Sequence, residues 1–158
     1  MPKLNPLLQQ IDKELHRYLA FDNTKRIQEH LLKYAEETVS DIIPNISVTD
    51  LDIINHIASH SEIRIKELVA TVYFPQGTVS KIVNRLVKKN LLKKYHRSDN
   101  KKDVYLKLTA NGQIIAKLHR KYHEKENQKL NELGADFIDT DLQKLAEMLR
   151  KINELREN

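Results

Sequence analysis

The chain has 158 residues, a formal net charge of +5, 31% charged residues, three Gly, four Pro and no Cys. That length suits one domain with a real core, and scarce Gly and Pro beside abundant Leu, Ile, Lys and Glu favour long helices over a turn-rich β fold. Without Cys there are no disulfides, thiolate metal sites, iron-sulfur clusters or cysteine redox switches.

The opening MPKLNPLLQQIDKELH lacks the apolar stretch and small-residue cleavage site of a signal peptide, and no apolar run nears the roughly 20 residues of a membrane span, so a cytoplasmic protein with no membrane partner is expected. Leu4, Leu7, Leu8, Ile11, Leu15, Tyr18 and Leu19 recur at three- and four-residue steps, which predicts an amphipathic helix over 5–20. Asp22, Asn23 and Thr24 offer caps for a second helix running to about Ile43, where Pro44 ends it. Ser47 caps a helix over 48–60, with Asp50 in its first turn and Leu51, Ile54, Ile57 and Ala58 as its stripe.

A short extended piece, Ile63 to Ile65, leads into a compact helix with Leu68, Val69 and Val72 facing inward. Phe74 and Pro75 break the chain, and Gln76 to Asn90 forms the next helix, with Val79, Ile82, Val83, Leu86 and Val87 at helical spacing. The period then falls to two: Leu92 to Tyr95 and Val104 to Leu108 read as strands of a hairpin around the polar tip HRSDNKKD. Thr109 caps a long helix containing Ile114, Ile115, Leu118, Tyr122 and Leu130. The last helix begins at Asp139 or Thr140, with Gln143 in position for a capping box and Leu142, Leu145, Leu149 and Ile152 as its seam.

Charge is concentrated where this pattern changes. Between Pro75 and Lys107 stand ten basic residues (Lys81, Arg85, Lys88, Lys89, Lys93, Lys94, Arg97, Lys101, Lys102 and Lys107) against Asp99 and Asp103, a local +8 that leaves the rest of the chain at −3. A basic segment on a slightly acidic body is the electrostatic footprint of a polyanion-binding face. The order helix, short strand, helix, turn, basic helix and basic hairpin, over about residues 62 to 109, predicts a winged helix-turn-helix, whose second helix fits the major groove. Gln76, Thr78, Ser80, Lys81, Asn84 and Arg85 fall on the early, outward part of that helix. With Lys88, Arg97 and the wing-tip Lys101 and Lys102, they make up the expected DNA-binding set.

The segments ISVTDLDIINHI, IRIKELVATVYF, QGTVSKIVNRLVKKNLLKK and SDNKKDVYLKLTANG, from about residue 46 to 112, resemble the MarR (multiple antibiotic resistance regulator) family. The resemblance implies a mainly α fold with a small β-hairpin: a winged helix-turn-helix whose N- and C-terminal helices dimerise. Residues 1–45 and 110–158 would form the dimerisation lobe and 46–109 the DNA lobe. It further implies a homodimer on a palindromic operator of double-stranded DNA, repressing transcription and modulated by a small-molecule effector that binds between the lobes.

There are three departures from the family pattern. Asn100 and Lys102 stand where Asp and Arg are usual in the wing, Tyr73 where a Gly often forms the turn, and Pro75 where a capping Ser or Thr is common.

Two further readings compete. His119 and His123, four residues apart on one helix face, form a metal-chelating spacing that His30, Glu124 or Glu126 would complete in a metal-responsive regulator. A sequence-independent architectural DNA binder would carry the same basic face. An enzyme is not expected, since the chain has no glycine-rich phosphate loop, Gly-x-Ser-x-Gly elbow or HExxH, and no cofactor is expected.

Overall fold

A computed structural model describes residues 2–157. The chain separates into two compact units, the first reaching His119 and the second starting at Arg120.

In the first unit α1 (Pro6–Ala20) starts at Asn5, whose Oδ1 accepts from the Leu7 N–H at 2.8 Å, with Pro6 placed where its missing N–H costs nothing. Asp22 is the residue that caps α2 (Asn23–Tyr34), accepting from the Lys25 N–H at 3.0 Å. The expected continuation to Ile43 does not occur. Ala35 and Glu36 are extended, a single turn α3 (Glu37–Ser40) follows, and Pro44 lies within a 3-10 turn, Ile43–Asn45. Leu31 before the break and Val39, Ile43 and Ile46 after it are all buried.

Helix α4 (Val48–Ala58) is the centre of the core and touches α2, α6 and β3. Its burial is therefore wider than a single stripe: Leu51, Ile53, Ile54 and Ile57 are all buried, and Ala58 is exposed. The capping box is present, with Ser47 Oγ accepting from the Asp50 N–H at 3.1 Å and Asp50 Oδ2 accepting from the Ser47 N–H at 3.0 Å.

After β1 (Ile63–Arg64), α5 (Ile65–Thr71) buries Leu68 fully, while Val69 and Val72 are half-buried. Helix α6 (Gln76–Lys88) buries Val79, Ile82, Val83 and Leu86. It ends two residues before the expected Asn90. Asn90 has φ 58°, the Asn90 N–H reaches Val87 O and the Leu91 N–H reaches Leu86 O, each at 3.0 Å. That pair of bonds is a Schellman ending, with Leu91 folded into the core.

The sheet has the order β1-β3-β2, all antiparallel, with β2 (Leu92–Tyr95) pairing Leu92 with Leu108 and Tyr95 with Tyr105 of β3 (Tyr105–Leu108). Clean alternation fails at two places, because Lys94 is exposed while both Tyr105 and Leu106 are buried.

Helix α7 (Ala110–Gly134) starts at Thr109, whose Oγ1 accepts from the Gly112 N–H at 3.1 Å and donates to Asn90 O at 2.7 Å. Gly112 is sterically required: a Cβ there would stand 2.2 Å from the Leu91 carbonyl oxygen. Ile115 and His119 are buried.

In the second unit, the remainder of α7 is followed by α8 (Asp139–Glu157), which buries no residue; Leu142, Leu145 and Leu149 are all exposed. No helix among the described residues is long and apolar enough to cross a membrane.

Candidate nucleic-acid interface

Helix α6 has one face in the core and one in solvent. At 100° per residue, Val79, Ile82, Val83 and Leu86 cluster on the inner side, and the row directly opposite is Gly77, Lys81, Asn84 and Lys88, all exposed. Thr78 and Arg85 lie on one flank of that row, Gln76 and Ser80 on the other; Thr78 and Gln76 are exposed and Ser80 is half-buried. Of the ten basic residues between Pro75 and Lys107, only Lys89 is not exposed.

Arg85 differs from its neighbours. Its guanidinium closes on the carboxylate of Asp50, which is 1% exposed, and Lys89 approaches the other carboxylate oxygen at 3.9 Å. Burying a carboxylate is costly unless charge and hydrogen bonds compensate it, and here two cations and the Ser47 N–H do so. Lys89 Nζ also donates to Asn45 O. The pair locks α6 to the start of α4, a contact the sequence reading did not anticipate, because Asp50 reads there only as a favourable first-turn charge.

The wing has an organised base. Tyr95 and Tyr105 face each other across β2 and β3 with ring centroids 6.0 Å apart. The Arg97 guanidinium lies over Tyr105 at 4.4 Å and Lys107 Nζ over Tyr95 at 5.3 Å. Glu62 accepts from the Tyr95 hydroxyl and pairs with Arg97.

The tip is ordered by Asn100, one of the residues that depart from the family pattern. Its Oδ1 accepts from the backbone N–H of Lys102 and Asp103 at 3.2 and 3.1 Å, and its amide donates to Asp103 Oδ2 at 2.9 Å and to the Tyr105 hydroxyl at 3.2 Å. An aspartate at 100 would face the Asp103 carboxylate at hydrogen-bond range, where two like charges repel; an amide both accepts and donates there.

The ion pair missing at 100 and 102 is supplied from elsewhere. Asp103 pairs with Arg64 at 3.4 Å and Lys66 at 3.2 Å, joining the wing to the start of α5. The Asn100 amide, first, and the Lys66 ammonium hold the Asp103 carboxyl below the usual aspartate range. Glu67 is lowered as well, chiefly by the side chain of Arg64, which it raises in return. Lys102 shares a shallow depression with Arg64, Lys66 and Asp103, while Lys101 is exposed beside it. Arg64 and Lys66 have no signal in the sequence beyond their charge, since they reach the wing only through the β1–β3 pairing.

The turn between α5 and α6 uses no left-handed residue; among the described residues only Asn90 combines a positive φ with a side chain, and no glycine has a positive φ. Tyr73 therefore fits the turn in ordinary backbone geometry. Pro75 is the N-cap of α6 and provides no side-chain cap bond.

The histidine pair is divided: His119 is buried and His123 exposed, with its ring 5.5 Å from Tyr122. His30 stands 5.0 Å from Tyr34. Among the described residues no group of three or more His, Cys, Asp or Glu side chains is placed to hold a metal ion.

Residues 47–112 match a winged helix DNA-binding domain family. Two proteins of Bacillus subtilis (strain 168) are similar in sequence. The HTH-type transcriptional regulator PchR is 34% identical over 100 residues, covering 63% of this chain and 58% of PchR. The uncharacterized HTH-type transcriptional regulator YvnA is 29% identical over 96 residues, 61% of each chain. The chain thus spans about three-fifths of the length of these curated relatives.

Among solved structures, the zinc-responsive MarR family member ZitR of Lactococcus lactis superposes with a TM-score of 0.67 at 23% identity over 94% of this chain and 97% of ZitR. The chain has a winged-helix fold like that of ZitR. Two other structures extend the likeness over nearly its whole length. The adhesin competence repressor AdcR of Streptococcus pyogenes gives a TM-score of 0.70 at 18% identity over 98% of this chain and all of that one. FabT of Streptococcus pneumoniae, solved in complex with DNA, gives 0.66 at 18% identity over 95% of this chain and 97% of FabT. The likeness in fold extends beyond the 47–112 match to the helices on both sides of it.

Proposed function

We propose that this protein is a MarR-type transcriptional regulator that binds a palindromic operator in double-stranded DNA as a homodimer, acts as a repressor, and is modulated by a small ligand. The observation that carries the reading is the outward face of α6, where Lys81, Asn84 and Lys88 stand exposed in one row with Gln76 and Thr78 beside it, opposite a wholly apolar inner face. Side chains of these types donate to base edges and phosphates when a helix lies in the major groove. Lys101 and Lys102 at the wing tip enter the adjacent minor groove, and Arg97 sets the wing's base.

Residues 1–45 and 110–158 form the dimerisation lobe in this reading and 46–109 the DNA lobe. Dimerisation gives the terminal helices the apolar partner they lack within each unit: α1 buries none of its residues and exposes Leu7, Tyr18 and Leu19, and α8 exposes Leu142, Leu145 and Leu149. Two copies related by a twofold axis place their α6 helices about one duplex turn apart. The protein is a cytoplasmic binding protein without catalysis.

The test is selection from a pool of random 30-base-pair duplexes, read by sequencing, beside sedimentation velocity at micromolar protein. Enrichment of a palindrome by a dimer is expected. A dominant monomer, or binding with no more than a few-fold sequence preference, overturns the reading; the second outcome is that of an architectural DNA binder.

A further inference from the structure

Gly77 in the first turn of α6 and Tyr73 in the turn before it both face solvent. Gly77 occupies the second position of the helix, where glycine is a poor choice: it stabilises a helix less than alanine does. Glycine is normally forced by a positive φ or by a neighbour too close for a Cβ. Neither holds at 77, because no glycine among the described residues has a positive φ and a Cβ built on Gly77 meets nothing within 4 Å. The contrast with Gly112, where a Cβ would strike the Leu91 backbone, is complete.

Gly77 also begins the outermost row of α6, ahead of Lys81, Asn84 and Lys88, so it makes a notch at the amino end of the face directed away from the core. Four residues earlier, Tyr73 is 104% exposed, a full aromatic side chain held in solvent by the turn that leads into the helix. Nothing in the fold is gained by that exposure.

Resting on the DNA-binding reading above, we propose that Gly77 and Tyr73 are specificity-determining contacts: the duplex approaches the helix backbone at Gly77 more closely than a Cβ permits, and Tyr73 packs on the adjoining deoxyribose or thymine methyl. An unsubstituted backbone admits a base-pair edge to van der Waals contact, and an aromatic ring buries apolar surface against the groove wall.

The proposal sets stability and binding in opposition, which a structural role for Gly77 would not do. Gly77→Ala raises the thermal midpoint by about 1–3 °C. The same variant weakens binding to the duplex selected by the wild-type protein by about tenfold, the scale of one mismatched base pair. Tyr73→Ala leaves the midpoint unchanged and weakens the same duplex about fivefold or more, and Tyr73→Phe, which keeps the ring, retains most of the affinity.

Fluorescence anisotropy on the selected duplex, with a scrambled duplex of the same composition as control, reads the affinities, and differential scanning calorimetry reads the midpoints. Wild-type affinity in Gly77→Ala, or equal losses on selected and scrambled duplexes, overturns the proposal for Gly77; wild-type affinity in Tyr73→Ala overturns it for Tyr73. Failure of the wild-type protein itself to select any sequence would instead overturn the regulator reading on which both rest.

Discussion

The guanidinium of Arg85 on the buried carboxylate of Asp50 ties the middle of α6 to the capped start of α4. Asp50 thereby does two jobs with two oxygens, accepting the Ser47 N–H that completes the capping box and the arginine that fixes the exposed helix. The ion pair adds a fixed polar contact to the apolar packing that orients α6.

Arg85→Ala is therefore expected to act on the fold before it acts on DNA. Removing one partner leaves Asp50 buried beside Lys89 alone, which costs about 1–3 kcal/mol. Urea denaturation checks this, and the double variant Asp50→Asn, Arg85→Ala is expected to recover part of the loss, since no uncompensated charge is left.

The wing hub carries a pH dependence of definite sign. Asp103, held low chiefly by the Asn100 amide, and Glu67, held low chiefly by the Arg64 side chain, bind protons less readily folded than unfolded. Their contribution is complete above their unfolded values, at about pH 4, and is lost as pH falls through the lower folded values. Asn100→Ala is expected to lower the urea midpoint at pH 7 and to differ less from the wild-type protein at about pH 3. An unchanged gap at acid pH would remove the Asn100–Asp103 coupling.

Gly112→Ala sets a methyl group 2.2 Å from the Leu91 carbonyl oxygen, so the Leu91 turn or the head of α7 has to shift. The expected loss is about 1–3 kcal/mol, the range for overpacking. Thermal unfolding of the variant measures it.

Asn90 ends α6 in the left-handed region that glycine adopts without strain. Asn90→Gly is expected to be neutral or stabilising by a few tenths of a kcal/mol, and Asn90→Val destabilising by about 1–2 kcal/mol. Their order in a chemical denaturation series is the check.

For the wing tip, Lys101→Ala and Lys102→Ala together are expected to leave the folded chain as stable as before, since both side chains are exposed. The slope of log affinity against log salt is expected to flatten by about one for each phosphate contact removed. An unchanged slope would place the wing away from the duplex.

Much of the fold was legible in the chain's periodicity. Val79, Ile82, Val83 and Leu86 fall on one side of α6 whatever surrounds it, and the switch to two-residue spacing after Leu91 marks the hairpin. Capping oxygens at Asp22, Ser47 and Thr109 act within three residues of themselves, so local chemistry sufficed to place those helix starts. The end of α2 was not legible, since neither Ala35 nor Glu36 is a helix breaker.

The exposed cations show the same division. That Lys81, Lys88, Lys101 and Lys102 stand in solvent follows from their place in the pattern, because a charged side chain leaves the core unless something there compensates it. That Arg85 turns to Asp50 and that Asp103 gathers Arg64 and Lys66 onto the wing are decided by partners 35, 39 and 37 residues away. The sequence by itself determined the elements and the sign of their surfaces, which depend on neighbours along the chain. Only the tertiary structure decided which of the charged groups are spent on holding the fold and which are left to face a partner, because an ion pair depends on distance in space rather than along the chain.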